Sequence, residues 1–150
     1  MRLTSFTDYA LRMLIYAAAA GRTVTIEEVA RAYGLSKTHL NKVANTLTRA
    51  GYLIAIRGRS GGLALGCRPE ETRIGDVVRL TEPDFALVEC FTAGNRCVLT
   101  GRCKLTALFD RAATSFLDTL DQCTLADVAL APRDFLGVPP PLSAATEASA

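Results

Sequence analysis

A mainly α fold is predicted, a helix-turn-helix with a two-stranded wing and a long C-terminal helix, from three features of the 150-residue sequence. The first is a pair of short helical patterns joined by a glycine, in "TIEEVARAYGLSKTHLNKVANTLTRAGYL". The second is a strand–turn–strand pattern rich in arginine and glycine, "YLIAIRGRSGGLALG", immediately after it. The third is an unbroken amphipathic pattern between Cys103 and Cys123.

The elements follow in order. "SFTDYALRMLIYAAAA" predicts a first helix over Ser5–Ala20, with Phe6, Ala10, Met13, Leu14 and Ala17 on one side and Gly21 as its end. Thr25 followed three residues later by Glu28 is a capping box, which starts a short helix burying Ile26, Val29 and Ala30 and stopping at Gly34. Ser36 is placed to cap the next helix, whose apolar residues Leu40, Val43, Ala44 and Leu47 recur at helical spacing up to Gly51. Two helices joined through a short glycine-containing turn form a helix-turn-helix. Tyr52–Arg57 and Leu63–Gly66 read as strands around a turn over Gly58–Gly62, a wing with Arg57 and Arg59 at its tip. "TRIGDVVRLTEP" is a short helix ended by Pro83. In the long helix, Leu105, Leu108, Phe109, Ala112, Phe116 and Leu120 form a stripe that little else in the chain could cover, which predicts a dimerisation helix, with packing back on the first helix as the alternative. "VPPPLSAATEASA" is a Pro/Ala/Ser tail expected to be disordered. The expected organisation is a winged helix-turn-helix over 1–82, a thiol loop over 83–104, the dimerisation helix over 105–130 and a flexible tail over 131–150.

Charge points to a polyanionic partner. Net charge is +2, yet residues 1–68 carry 10 Lys+Arg against 3 Asp+Glu, whereas residues 69–150 carry 7 against 12. A basic half that coincides with the helix-turn-helix and wing suits double-stranded DNA. The expected contacts are Ser36, Lys37, Thr38, His39 and Lys42 at the start of the second helix, with Arg57 and Arg59 on the wing. Thr38 and His39 are placed to reach base edges. The N-terminal segment carries Asp8 and Arg12 inside its apolar pattern, unlike a secretory signal, and no apolar run reaches 18 residues. A cytoplasmic protein is expected. No nucleophile–base pair or phosphate-binding glycine loop is present, and no enzymatic activity is expected.

The five cysteines include three within "VECFTAGNRCVLTGRCKL": Cys90, Cys97 and Cys103. Their spacing lacks the tight pairs of a structural zinc site, and the lone histidine is on the basic helix. Three thiolates from one loop suit an iron–sulfur cluster that needs one further ligand. Cys67 and Cys123 are expected to be small buried hydrophobes.

Together, "LTSFTDYALRMLIY", "SKTHLNKVANTLTRAGYL", "RGRSGGLAL", "RIGDVVR", the three cysteines and "SFLDTLDQCTLADV" resemble the Rrf-two family of winged-helix iron–sulfur transcription regulators, and its nitric-oxide-sensing repressors in particular. The resemblance covers about residues 1–130. It implies a homodimer on a near-palindromic operator, with a [4Fe–4S] cluster held by Cys90, Cys97, Cys103 and Asp8 of the partner subunit, and with [2Fe–2S] as the alternative. It implies nitric oxide as the signal; oxygen, redox or iron and cluster status are the alternatives within the family. Cluster-assembly regulators of the family use a histidine three residues after the last cysteine, where this chain has Thr106, which argues against a [2Fe–2S] site of that kind.

Overall fold

The structure is a computed structural model and describes residues 2–134. Helix α1 spans Ser5–Ala20. Thr4 caps it by accepting from the Thr7 N–H, and Gly21 ends it in the left-handed conformation at φ 61°. This end requires glycine, since a side chain is strained there. Helix α2, Ile26–Tyr33, opens with the expected capping box: Thr25 accepts from the Glu28 N–H while the Glu28 carboxylate accepts from the Thr25 N–H at 2.6 Å. Helix α3 runs over Lys37–Arg49. Ser36 is its N-cap residue by position, but its hydroxyl makes no capping bond.

Strands β1, Leu53–Ile56, and β2, Gly62–Leu65, pair antiparallel with Leu53 opposite Leu65 and Ile56 opposite Gly62. A bridge between Val24 and Leu63 ties the wing to the segment between α1 and α2. Gly62 is required at this junction, because a Cβ there would lie 2.5 Å from the Val24 carbonyl oxygen. Helix α4, Ile74–Thr81, ends before Pro83. Helix α5 covers Lys104–Asp121, and a one-turn helix α6 follows over Leu125–Val128. The helix expected from Cys103 to about Cys123 ends at Asp121, and the segment 105–130 holds two helices, with Cys123 and Thr124 at the break.

The core is built from Ala10, Met13, Leu14 and Ala17 of α1, Val29 of α2, Leu40, Val43, Ala44 and Leu47 of α3, Leu53 of β1 and Val77 of α4. Leu125 of α6 returns to this core and is fully buried. Helix α5 buries no residue. It packs along α4, with Phe109, Phe116 and Leu120 half-buried, while Leu105 and Leu108 remain 57% and 49% exposed. The predicted stripe is therefore split, half turned toward the chain and half left outward. At its far end α5 is clamped to α4: both guanidinium nitrogens of Arg79 donate to the Asp121 carboxylate, at 2.5 and 2.6 Å, and Arg73 donates to the Asp121 carbonyl. Backbone bonds from Ile74 N–H to Cys123 and from Leu125 N–H to Thr72 continue this junction. The expected flexible tail lies, from residue 135 onward, outside the described residues. Among the described residues no helix is long and apolar enough to cross a membrane.

Candidate functional site

Two groups of candidate functional side chains stand on different parts of the fold. The first lies on α3 and the wing. Core packing of Leu40, Val43, Ala44 and Leu47 turns the opposite side of α3 to solvent, and Ser36, Lys37, Thr38, His39 and Lys42 are all exposed. Lys37 is not a free cation. Its ammonium pairs with Glu27 of α2 at 3.0 Å, and this bond holds the Glu27 carboxyl below its ordinary value. His39 leans toward α1, where its ring meets Tyr9 with centroids 6.4 Å apart. Ser5, Phe6, Tyr9, His39 and Lys42 line a hollow of about 260 Å³ on that flank. On the other flank Asn41 of α3 shares a hollow of about 350 Å³ with Thr25, Ile26 and Glu27 of α2 and with Ile56, Gly61, Gly62 and Leu63 of the wing. Arg57 and Arg59 are exposed on the wing and form no ion pair among the described residues.

The second group is the thiol loop. Cys90, Cys97 and Cys103 are free and partly exposed. Cys90 lies in a 3₁₀ turn over Glu89–Phe91, and Cys103 is the N-cap residue of α5. The loop is held by its own polar groups. Glu89 accepts from the Arg96 N–H at 3.0 Å, Asn95 accepts from the Cys97 N–H at 2.8 Å, and Thr100 donates to the Cys97 carbonyl at 2.7 Å. Thr106 is where two of the thiols meet. Its hydroxyl is 3.6 Å from the Cys90 sulfur, and it also lies beside Cys103. The backbone N–H groups of Leu105 and then Thr106 at the start of α5 hold the Cys103 thiol below its ordinary value, although the sulfur closes no capping bond. A lowered thiol value favours the thiolate, the form that ligates metal.

Asp8 is in the first turn of α1, on a different element from the loop. Its carboxylate, 46% exposed, accepts from Arg12 at 3.0 Å, and the Arg12 guanidinium lies 5.6 Å from the centre of the Tyr33 ring. Among the described residues of one chain, no group of three or more His, Cys, Asp or Glu side chains is assembled to hold a metal ion. Cys97 and Asp8 are thus not gathered with Cys90 and Cys103. The donor set itself suits a thiolate-bound cluster: three unpaired, solvent-reachable soft sulfurs, one of them biased toward its anion.

Of the remaining cysteines, Cys67 is not a buried hydrophobe. It is exposed at the end of the wing, with its thiol 3.4 Å from the Gly51 carbonyl. Burial was expected from its place at a strand end, but β2 stops at Leu65 and leaves Cys67 outside the sheet. Cys123 is only partly covered, because α5 breaks before it. Two features had no clear signal in the sequence: the role of Thr106 as the meeting point of two thiols and the Arg79–Asp121 clamp. The first brings Cys90 to a residue 16 positions on, and the second spans 42 residues.

A helix-turn-helix with an arginine-bearing wing, followed by a thiol loop and an open helix, defines a winged-helix regulator of transcription. Residues 3–131 match the Rrf2 family, described as iron-dependent transcriptional regulators, and the chain belongs to that family. It is 47% identical over 131 residues to the HTH-type transcriptional regulator NsrR of Bacillus licheniformis, covering 85% of this chain and 92% of that protein. It is 45% identical over 139 residues to the HTH-type transcriptional regulator NsrR of Bacillus subtilis strain 168, covering 91% of this chain and 95% of that protein. The fold also matches the solved structure of CymR, the global cysteine regulator of Bacillus subtilis, with a TM-score of 0.72 and 26% identity over 86% of this chain and 96% of that one. These relatives are regulators of transcription rather than enzymes.

Proposed function

We propose that this regulator is a homodimeric repressor that releases its operator in response to nitric oxide at an iron–sulfur site. The observation that carries the reading is the loop of three free, partly exposed thiols appended to a winged helix in a chain so similar to NsrR regulators. Cys90, Cys97 and Cys103 would hold the cluster, [4Fe–4S] rather than [2Fe–2S], with Asp8 of the partner subunit as fourth ligand. Bound there, the cluster supplies iron that reacts with nitric oxide.

The chain's own residues have separable tasks. The three thiolates anchor. The Asp8 carboxylate, a harder and more weakly held donor than a thiolate, would be the ligand most easily displaced by a small neutral molecule and would link α1 of one subunit to the thiol loop of the other. The half of the α5 stripe left outward, Leu105 and Leu108, supports a second copy of the chain as its cover. In the dimer, the two α3 helices would enter successive major grooves of a near-palindromic site, and Arg57 and Arg59 would meet phosphates or the adjacent minor groove. Action in the cytoplasm fits the likeness to regulators of transcription.

The test is anaerobic purification, a visible spectrum, and titration with nitric oxide while operator binding is followed. Cys90→Ala, Cys97→Ala and Cys103→Ala should each abolish the cluster absorption, while Cys67→Ala and Cys123→Ala keep it. Asp8→Ala should keep a cluster on the cysteines but change its rate of reaction with nitric oxide and weaken or blind the operator response. A wild-type spectrum and response in Asp8→Ala would move the fourth ligand elsewhere, and retention of absorption in Cys97→Ala would overturn the ligand set.

A further inference from the structure

The outward side of α3 offers more than the basic residues and the two base-edge candidates at its start. At 100° per residue, the positions opposite the buried Leu40, Val43, Ala44 and Leu47 are Thr38, Lys42, Asn45 and Arg49. Asn41 occupies the shoulder toward the wing, in the hollow it shares with Ile56, Gly61 and Gly62. His39 occupies the opposite shoulder, against Tyr9. Asn41 and Asn45 are both exposed, and neither side chain has a hydrogen-bond partner among the described residues. Asparagine is a poor helix former because its amide competes with the backbone. Two of them in mid-helix without a partner contribute nothing to the fold.

A carboxamide sets a donor and an acceptor side by side. That pair matches the N7 acceptor and N6 amino donor that adenine shows on one base edge in the major groove, the bidentate pairing asparagine favours there. Four residues along a helix advance about 6 Å. Successive base pairs rise about 3.4 Å, so the two amides are spaced for base pairs about two steps apart.

We propose that Asn41 and Asn45 are specificity-determining residues, each reading an A·T pair of the half-site through paired hydrogen bonds to adenine N6 and N7. This rests on the DNA-binding reading above. It assigns sequence discrimination to the wing-side and central positions of α3, and leaves Lys42, Arg57 and Arg59 to the phosphates.

The experiment is selection from a library of random DNA duplexes by the full-length protein, purified anaerobically, beside Asn41→Ala and Asn45→Ala. The wild type should enrich a motif with two adenines about two positions apart in each half. Each variant should lose the preference at one of them and keep the rest of the motif. Affinity for the enriched duplex should fall about tenfold or more. Affinity for a scrambled duplex should change less than about twofold, since neither residue is assigned to a phosphate. Both substitutions place a better helix former at an exposed site, and unchanged scrambled-duplex binding confirms an intact α3. Variants that enrich the wild-type motif overturn the inference, as does a parallel fall on scrambled DNA, which would make the amides phosphate contacts. A wild-type protein that enriches no motif at all overturns the DNA-reading function itself.

Discussion

Helices α3 and α5 carry the same kind of amphipathic pattern and meet opposite fates. Helix α3 inserts Leu40, Val43, Ala44 and Leu47 fully into a core shared with α1, α2, β1 and α4. Helix α5 is longer, 18 residues against 13, and buries none of its side chains within the chain. Its outward leucines, together with Val98 at 94% and Leu99 at 55% exposure on the thiol loop, leave apolar surface open at one end of the molecule. The winged part is complete within one chain. Helix α5 is held along α4 and at its far end by the Arg79–Asp121 clamp, the thiol loop by its own polar groups, and on the proposed reading both are completed by a second subunit. On that reading, stability and signal response are lodged in different regions: the winged part has a fully buried core, whereas no residue of the thiol loop is fully buried.

The largest effect expected from this contrast is in the core. Leu40→Ala should destabilise the chain by about 2–5 kcal/mol, measured by chemical denaturation, because it deletes a fully buried side chain amid fixed neighbours. Leu108→Asp, at a leucine of equal size, should leave the winged part folded by circular dichroism. On the proposed reading it should convert a wild-type dimer to a monomer in sedimentation; a dimer that survives the substitution would place the subunit interface elsewhere.

The clamp predicts a smaller, pH-dependent effect. Arg79, by its paired hydrogen bonds, holds the Asp121 carboxyl below its ordinary value. A lowered native value stabilises above the ordinary carboxylate range, near pH 4, and the contribution is lost as pH falls through the native value. Asp121→Asn should therefore lower the melting temperature slightly at neutral pH and converge with the wild type in acid. A constant difference across pH would assign the effect to packing rather than to the ion pair. Smallest is Arg59→Ala, which should leave folding untouched. It should reduce the salt slope of DNA binding by about one unit, the signature of a single lost phosphate contact, and an unchanged slope would place the wing tip off the DNA.

Much of the fold was legible because it is encoded locally. The end of α1 follows from Gly21, the start of α2 from the Thr25–Glu28 box, and the buried faces of α1 and α3 from residues at helical spacing. The candidate contacts on α3 and the wing were legible for the same reason: a helix whose apolar face is known has its exposed face determined as well. Their individual environments were not. Glu27 takes up Lys37 and Tyr9 meets the ring of His39, and both partners come from other elements.

Sequence by itself thus determined the order of the main elements, the inward faces of α1 and α3 and the clustering of three thiols in one loop, since each depends on residues a few positions apart. Only the tertiary structure decided that α5 breaks before α6, so that Leu125 can return to the core, that Arg79 reaches Asp121 across 42 residues, and that Cys90 and Cys103 meet at Thr106. It also decided that Cys67 lies outside the sheet and that half of the α5 stripe stays open. The reason is physical. Helical period and capping act over one or two turns of chain, whereas the covering of an apolar face or a charge depends on which distant surfaces the completed core leaves within reach.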